Sequence, residues 1–494
     1  MDAHLNYING RWLPSRSGEV FESRNPARPA EILGEFQAST AEDIAEAVEA
    51  AGHAQRAWRR VPAPKRGEII ERAVRLLQER KPELAELVTR EMGKTLVDSG
   101  YDVQGAITSG KYMAGEGFRL FGETVPSGLP NRMAMTRREA VGVVGIITPW
   151  NLPILMPAWK LFPALVCGNA VVVKPAEDTP LCAVRFFEIL EEAEVPPGIV
   201  NLVTGFGEQA GQPLVEHPDV DMISFTGSQA VGRGIAASAG RDLKHVSLEM
   251  GGKNAIVVLD DADLDAAVEG VLWGGFSTAG QRCTASSRLV VQHGIADELI
   301  GRLSERIDQL VLGDGLDEQV DIGPIVNQKQ LDRIHSYTEI GVDEGAQLLA
   351  GGEKISEGMN GGYFYAPTLF DHADPGMRIA QEEIFGPTVV TLRVESDEEA
   401  IEVANGTNYG LSAAVYSSDA ARALAAIAEF ESGLAYLNAP TIGSEIHLPF
   451  GGVKSTGNGH RESGLSAIEQ FTEIKTVFLD YSGGLQRAGI DDRD

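Results

Sequence analysis

The chain has 494 residues, 43% hydrophobic and 23% charged, which suffices for two or three ordinary domains and excludes disorder as its main state. Its 71 acidic residues against 42 basic ones give a net charge of -29. That makes nucleic acid and anionic membrane poor partners and obliges any anionic cofactor to find local donors. Three cysteines suggest a reducing compartment and no disulfide framework. The start, MDAHLNYINGRW, does not read as a secretory signal, and the most apolar run, Leu161 to Val173, is too short to span a bilayer. A cytoplasmic location is the expectation.

After a short β-rich start, residues 40 to 115 read as helices. Thr40 and Asp43 are spaced as a capping box, and Ile44, Ala47, Val48 and Ala51 recur at helical spacing. A second helix is expected through Ile69, Ile70, Ala73, Leu76 and Leu77. The polar stretch from Pro126 to Arg138 reads as a hairpin or arm. From Val141 the texture changes to short β-branched runs, VGVVGIITP, NAVVVKP, GIVNLVTG and DMISFTGS, separated by helical segments. Such alternation predicts a doubly wound α/β unit with buried parallel strands. A second alternating region opens with SRLVVQH, continues with a helix expected over 298–312, and runs to about Asn438. Ser396 and Glu399 are spaced as another capping box. EIKTVFLD alternates like a strand, and the tail from Gly483 is expected to be loose.

Four segments carry groups suited to chemistry. In GQRCTASS, Cys283 lies between a glycine turn and small hydroxyl residues, where backbone amides and the neighbouring Arg282 would lower a thiol pKa. A buried structural cysteine is the competing reading. Cys167 and Cys182 lie in apolar surroundings and read as structural. In SLEMGGKN, Glu249 closes a β-like run before a glycine pair, fitting a general base or a surface strand end. In FTGSQAVG, a turn with Gly227 and Gly232 opens a helix that could receive a pyrophosphate, although the spacing is not the dinucleotide-binding G-x-G-x-x-G. Lys174 and Glu177 follow a buried strand, placed for ribose or phosphate contacts or for a salt-bridged helix start. Asn151 offers an amide for an oxyanion, or is an ordinary turn residue.

In their order, TPWN (148–151), KPAEDTP (174–180), FTGS (225–228), LE-x-GGK (248–253), GQRC (280–283), EEIFGP (382–387) and PFGG (449–452) closely resemble the aldehyde dehydrogenase superfamily over almost the whole chain. The resemblance implies an α/β fold with a Rossmann-like cofactor domain (1–121 and 141–250), an α/β catalytic domain (251–446) and a β oligomerisation arm (122–140 and 467–484). It implies a homodimer or homotetramer. Cys283 would be the nucleophile, Asn151 the oxyanion donor and Glu249 the base, with Lys174 counted among the catalytic residues as well as at the adenosine ribose. The cofactor set would comprise Thr148, Pro149, Trp150, Lys174, Glu177, Gly207, Phe225, Thr226, Gly227, Ser228, Gly232, Glu383 and Phe385.

Glu177 would accept ribose hydroxyls and repel a 2′-phosphate, which favours NAD, with NADP as the alternative. Glu249 stands where the CoA-acylating branch lacks a glutamate, which favours a free acid product. Arg282 is similar to branches that oxidise 2-oxoglutarate or 2-aminoadipate semialdehyde, where a guanidinium would bind the distant carboxylate. Met156, Trp159 and Phe450 match substrate-tunnel positions and would suit neutral aldehydes equally well. A small-molecule aldehyde is thus the expected partner. A catalytically idle protein on this fold is the remote alternative, and no metal is expected.

Overall fold

The computed structural model describes residues 3–487. Two seven-stranded sheets and one three-stranded sheet dominate it. In the first large sheet the strands Val143–Ile147, Ala170–Lys174, Val200–Leu202, Met222–Gly227 and His245–Met250 run parallel. The short strands Asn6–Ile8 and Arg11–Leu13 add an antiparallel edge. Val, Ile and Ala fill the central strands because helices such as Ala41–Trp58 and Leu155–Cys167 cover the sheet and leave no solvent face.

The order across this sheet is 245–250, 222–227, 143–147, 170–174, 200–202, 6–8, 11–13. The chain works outward from strand 143–147 in one direction, then crosses back to place 222–227 on its other side. In a doubly wound sheet the crevice at such a reversal, beyond the carboxyl ends of the strands, receives the ligand. Here TPWN follows, and FTGS ends, one of the two strands that flank it.

The second large sheet runs 347–350, 368–371, 388–394, 286–292, 254–258, 412–416, 434–437, with its own apolar core. The helix expected over 298–312 is His293–Ile307. Its apolar continuation leaves the helix because Leu312 bridges Ile322 and the Val311 N–H binds the Asp321 carboxylate at 2.9 Å. The Asp43 carboxylate accepts the Thr40 N–H at 2.9 Å. The Ser396 hydroxyl caps Glu399 N–H at 3.2 Å, but the Glu399 carboxylate reaches back to Glu395 N–H and not to Ser396.

The stretch read as a hairpin forms strands Thr124–Pro126 and Arg132–Ala140. The final strand, Thr472–Asp480, pairs antiparallel along all of Arg132–Ala140 and leaves Ile474, Phe478 and Leu479 exposed. Of the tail, residues 488–494 lie outside the described residues. Among the described residues no helix is long and apolar enough to cross a membrane.

Candidate active site

Helix Leu264–Phe276 ends in the turn Ser277–Gly280, where Thr278, Ala279 and Gly280 all have left-handed backbone angles near +55 to +65°. Two non-glycine residues held there store local strain, which persists only when surroundings impose it. The surroundings are visible. A Cβ on Gly280 would lie 2.1 Å from the Gly386 carbonyl, so only glycine fits. The buried Gln281 amide donates to Thr278 O and Pro324 O at 3.1 and 3.2 Å and accepts Val326 N–H at 3.0 Å. Past the turn, Asn254 donates to the carbonyls of Cys283 and Ala285 at 2.8 and 2.9 Å.

Cys283 is thereby held half-buried at the wall of a cavity of about 590 Å3. Burial pushes its thiol up to about 12, the Glu383 and Glu249 carboxylates add to the shift, and the amides of Thr284 and Cys283 oppose it. The expected activation by Arg282 is therefore corrected. The Arg282 guanidinium turns to Asp98 Oδ1 at 2.7 Å and Thr278 Oγ1 at 3.0 Å, and its charge is already answered there. Arg282 nevertheless lines the cavity.

Asn151 is buried beside the same loop. Its amide donates to the Gln281 carbonyl at 3.1 Å and, having two hydrogens, keeps one for the cavity. Glu249, on strand His245–Met250, is 3% exposed, and neither carboxylate oxygen has a hydrogen-bond partner among the described residues. Burial raises its pKa well above the ordinary carboxylate range; Glu462 raises it further, while Lys160 and Arg461 oppose. It is no surface strand end. Gly451, at φ +144°, lies so close that a Cβ there would sit 2.6 Å from Glu249 Oε1.

Lys160 and Glu462 form a buried ion pair behind Glu249, and Lys160 also donates to Ser224 Oγ at 3.1 Å. Sequence reading passed over both. The signal was a lysine inside the apolar helix LMPAWKLFPALVC, where a charge must be paired to be buried.

Met156, Trp159 and Phe450 form an apolar cluster with Leu411 at the cavity, the Trp159 and Phe450 rings 5.0 Å apart. Met156 and Trp159, three apart on one helix, share a face. Tyr101, Gln104 and Thr108 on helix Leu96–Glu116 also line the cavity and were not singled out from the sequence.

Of the dinucleotide set, Thr226 reaches this cavity with a buried, unpartnered hydroxyl. Phe225, Thr226 and Gly227 end their strand, and Ser228 caps helix Gln229–Arg241 with extended backbone, its side chain making no cap bond. A Cβ on Gly227 would meet the Phe225 ring at 2.5 Å, and one on Gly232 the Met250 sulfur at 2.4 Å. The helix thus packs close enough to aim its free amides past the strand ends, as a pyrophosphate requires. Thr148 is buried after strand Val143–Ile147, followed by Pro149 and Trp150, whose ring meets Phe385 edge-on at 5.3 Å.

Lys174 is buried and holds Glu177 at 3.2 Å; both lie away from the cavity that contains Cys283. Gly207 opens the turn Gly207–Gly211, where a Cβ on Gly211 would be 3.6 Å from the Lys174 stem. Glu383 accepts the Gly252 N–H at 3.1 Å, and burial raises its carboxyl to about 7. With Phe385, which has φ +62°, it borders a smaller cavity next to Arg282. Two carboxylates for sugar hydroxyls, a helix start for phosphates and an aromatic pair for a flat ring fit a dinucleotide.

The sequence profile of the Aldehyde dehydrogenase family matches residues 12–477. The alpha-ketoglutaric semialdehyde dehydrogenase of Bacillus subtilis is 44% identical, covering 97% of this chain and 98% of the relative. The alpha-ketoglutarate semialdehyde dehydrogenase of Haloferax volcanii is 41% identical, covering 97% of this chain and 100% of that protein. Among solved structures, betaine aldehyde dehydrogenase from Staphylococcus aureus in complex with NAD+ superposes with a TM-score of 0.95 at 35% identity, covering 98% of this chain and 96% of the other.

Proposed function

The chain belongs to the aldehyde dehydrogenase family, and we propose that it oxidises an aldehyde bearing a distant carboxylate, such as 2-oxoglutarate semialdehyde, to the acid with NAD+, with NADP+ less favoured. One observation carries the reading: Cys283, Asn151 and a Glu249 with no hydrogen-bond partner meet in one cavity. The names of the Bacillus and Haloferax relatives support the substrate class, and the NAD+-bound Staphylococcus structure supports the cofactor.

The Cys283 thiol loses its proton to solvent water as the sulfur adds to the aldehyde carbon, and the carbonyl electron pair moves onto oxygen. Asn151 and the Cys283 amide hold that oxyanion in place. When it collapses, the bound nicotinamide accepts the hydride, which leaves a thioester on Cys283. Glu249 takes a proton from water as the water oxygen adds to the thioester carbon; the C–S bond then breaks and returns the thiolate. A base for this step needs a lone pair not already engaged, and Glu249 has two such oxygens. Glu177 and Glu383 would bind the two riboses, with Lys174 beside the first; the start of helix Gln229–Arg241 would take the pyrophosphate, and Phe385 would face the nicotinamide.

In this reading residues 1–121 and 141–250 bind the cofactor and 251–446 supply the catalytic half. Residues 122–140 with 467–484 join two or four copies in the cytoplasm through the exposed Ile474 and Phe478. The test compares NADH formation from glutarate semialdehyde and from pentanal, which match in chain length. A tenfold preference in kcat/KM for the semialdehyde, about 1.4 kcal/mol, supports the carboxylate reading. Equal rates overturn it in favour of a second reading, a neutral aliphatic or aromatic aldehyde. That one is favoured by the Arg282–Asp98 pair and the apolar Met156, Trp159 and Phe450.

A further inference from the structure

Asp98 and Asp102 are one turn apart on one face of helix Leu96–Glu116, and Lys94 lies just before the Thr95 N-cap of that helix. Lys94 leaves the preceding helix through Gly93, whose φ of +98° and contact with Pro324 and Pro26 admit no side chain. Its position is therefore set before any hydrogen bond is counted. The Lys94 ammonium donates to Asp102 Oδ2 at 2.8 Å and to the Asn151 carbonyl at 2.9 Å. Asp102 Oδ1 accepts the Leu155 N–H at 2.7 Å. Both ends of the turn that carries Asn151 are thus tied to one ion pair, whose side chains are 1% and 0% exposed.

One turn along, Asp98 does the same for the nucleophile loop. Its Oδ2 accepts the N–H and hydroxyl of Thr278, both at 3.0 Å, and its Oδ1 takes Arg282, so the residues on the approach to Cys283 are held from the same helix face. A buried ion pair is a weak stability device, because apolar side chains of equal volume do as well. It is a strong positional one, since breaking it strands a charge. An oxyanion donor needs such placement: it acts only when its hydrogen points to where the oxygen will be, and an error of about 1 Å costs on the order of 100-fold.

We propose that Lys94 and Asp102 are positioning residues for the oxyanion-holding amide of Asn151, fixed in a common frame with the nucleophile loop that Asp98 anchors. The proposal rests on the reading of Asn151 given above. Without the pair the enzyme would still bind aldehyde and cofactor and still present its thiol, but would stabilise the developing charge poorly.

The experiment measures steady-state kinetics, NADH affinity by fluorescence and the rate of Cys283 alkylation by iodoacetamide in four forms: wild type, Asn151→Ala, Lys94→Met/Asp102→Asn, and the triple variant. The paired substitution avoids stranding one charge. Expected for it are a kcat at least tenfold lower, with aldehyde KM, NADH affinity and alkylation rate within threefold of wild type. The triple variant should be no slower than Asn151→Ala alone. A paired variant with wild-type kcat, a triple variant whose loss is the product of the two separate losses, or alkylation and NADH affinity falling along with kcat would each overturn the proposal. If Asn151→Ala itself keeps wild-type kcat, the oxyanion reading has failed and takes the proposal with it. If Asn151→Ala is slow and the paired variant is not, only the proposal fails. Lys94→Gln/Asp102→Asn, which also strands no charge and leaves an oxygen to accept Leu155 N–H, carries the same comparison if the first paired variant does not fold.

Discussion

Two glutamates of this protein are both deeply buried and differ in what their carboxylates touch. Glu91, in helix Lys81–Met92, accepts the N–H groups of Leu181 and Cys182 at 2.7 and 2.8 Å and the Ser23 hydroxyl at 3.0 Å. It caps helix Pro180–Glu192 from a distance, supplying acceptors that Thr179 does not. Glu249 has no partner on either oxygen. Burial raises both carboxyls, that of Glu91 to about 7 and that of Glu249 well above its usual range. A raised pKa alone therefore does not mark a catalytic group. What separates the two is whether the lone pairs are engaged: a satisfied carboxylate holds structure, and an unsatisfied one facing a cavity is available for chemistry.

The comparison can be broken or sharpened at several points. The largest effect is expected for Cys283→Ala, which should lower NADH formation by about 10,000-fold or more while leaving NADH affinity intact; substantial turnover in this variant would remove the cysteine mechanism altogether. Next, Glu249→Gln should slow steady-state turnover roughly 100- to 10,000-fold. It should still give a burst of about one NADH per active site, because acylation of Cys283 does not need the base. Its melting temperature should not fall, since no hydrogen bond is lost.

Glu91 should behave in the opposite way. Glu91→Ala should cost about 3 kcal/mol of stability in urea unfolding and leave kcat per folded molecule unchanged. A folded-state pKa raised from 4.5 to about 7 makes this group's contribution full below pH 4.5 and lost as pH rises through 7. Glu91→Gln removes that titration. Between pH 5 and 7.5 its stability should therefore improve relative to wild type by on the order of 3 kcal/mol. The smallest effect is expected at Arg282, whose guanidinium resembles Glu91 in being partnered already. Arg282→Met should reduce kcat/KM for glutarate semialdehyde about tenfold and leave pentanal unchanged; equal loss on both substrates would make Arg282 purely a partner of Asp98.

Much of the fold was legible because burial on both faces writes a plain pattern. Strands such as AVVVK and NAIVV are apolar except at one end, and helix Ala41–Trp58 keeps its apolar stripe. Helix His293–Ile307 was misplaced because the local pattern continues through LVLG, while a bridge to Ile322 and the Asp321 carboxylate, both outside that pattern, ends it. The residues of the candidate site were legible as motifs, since turn chemistry at Gly280 and Gly451 leaves glycine no substitute.

The sequence by itself determined the class of each strand and helix and the identity of the reactive groups, because these depend on neighbours within a few residues. Only the tertiary structure decided which charges are free. Arg282 beside Cys283 looked like an activating cation until Asp98, 184 residues away in the chain, claimed it. Lys160, passed over in the sequence, is a charge inside an apolar helix that Glu462 meets from 302 residues away. Glu249, read from the sequence as a base or a surface strand end, is left without a partner among the described residues by the packed interior. Charge pairing acts through space between groups that the chain brings together late, and no local pattern records which partner arrives.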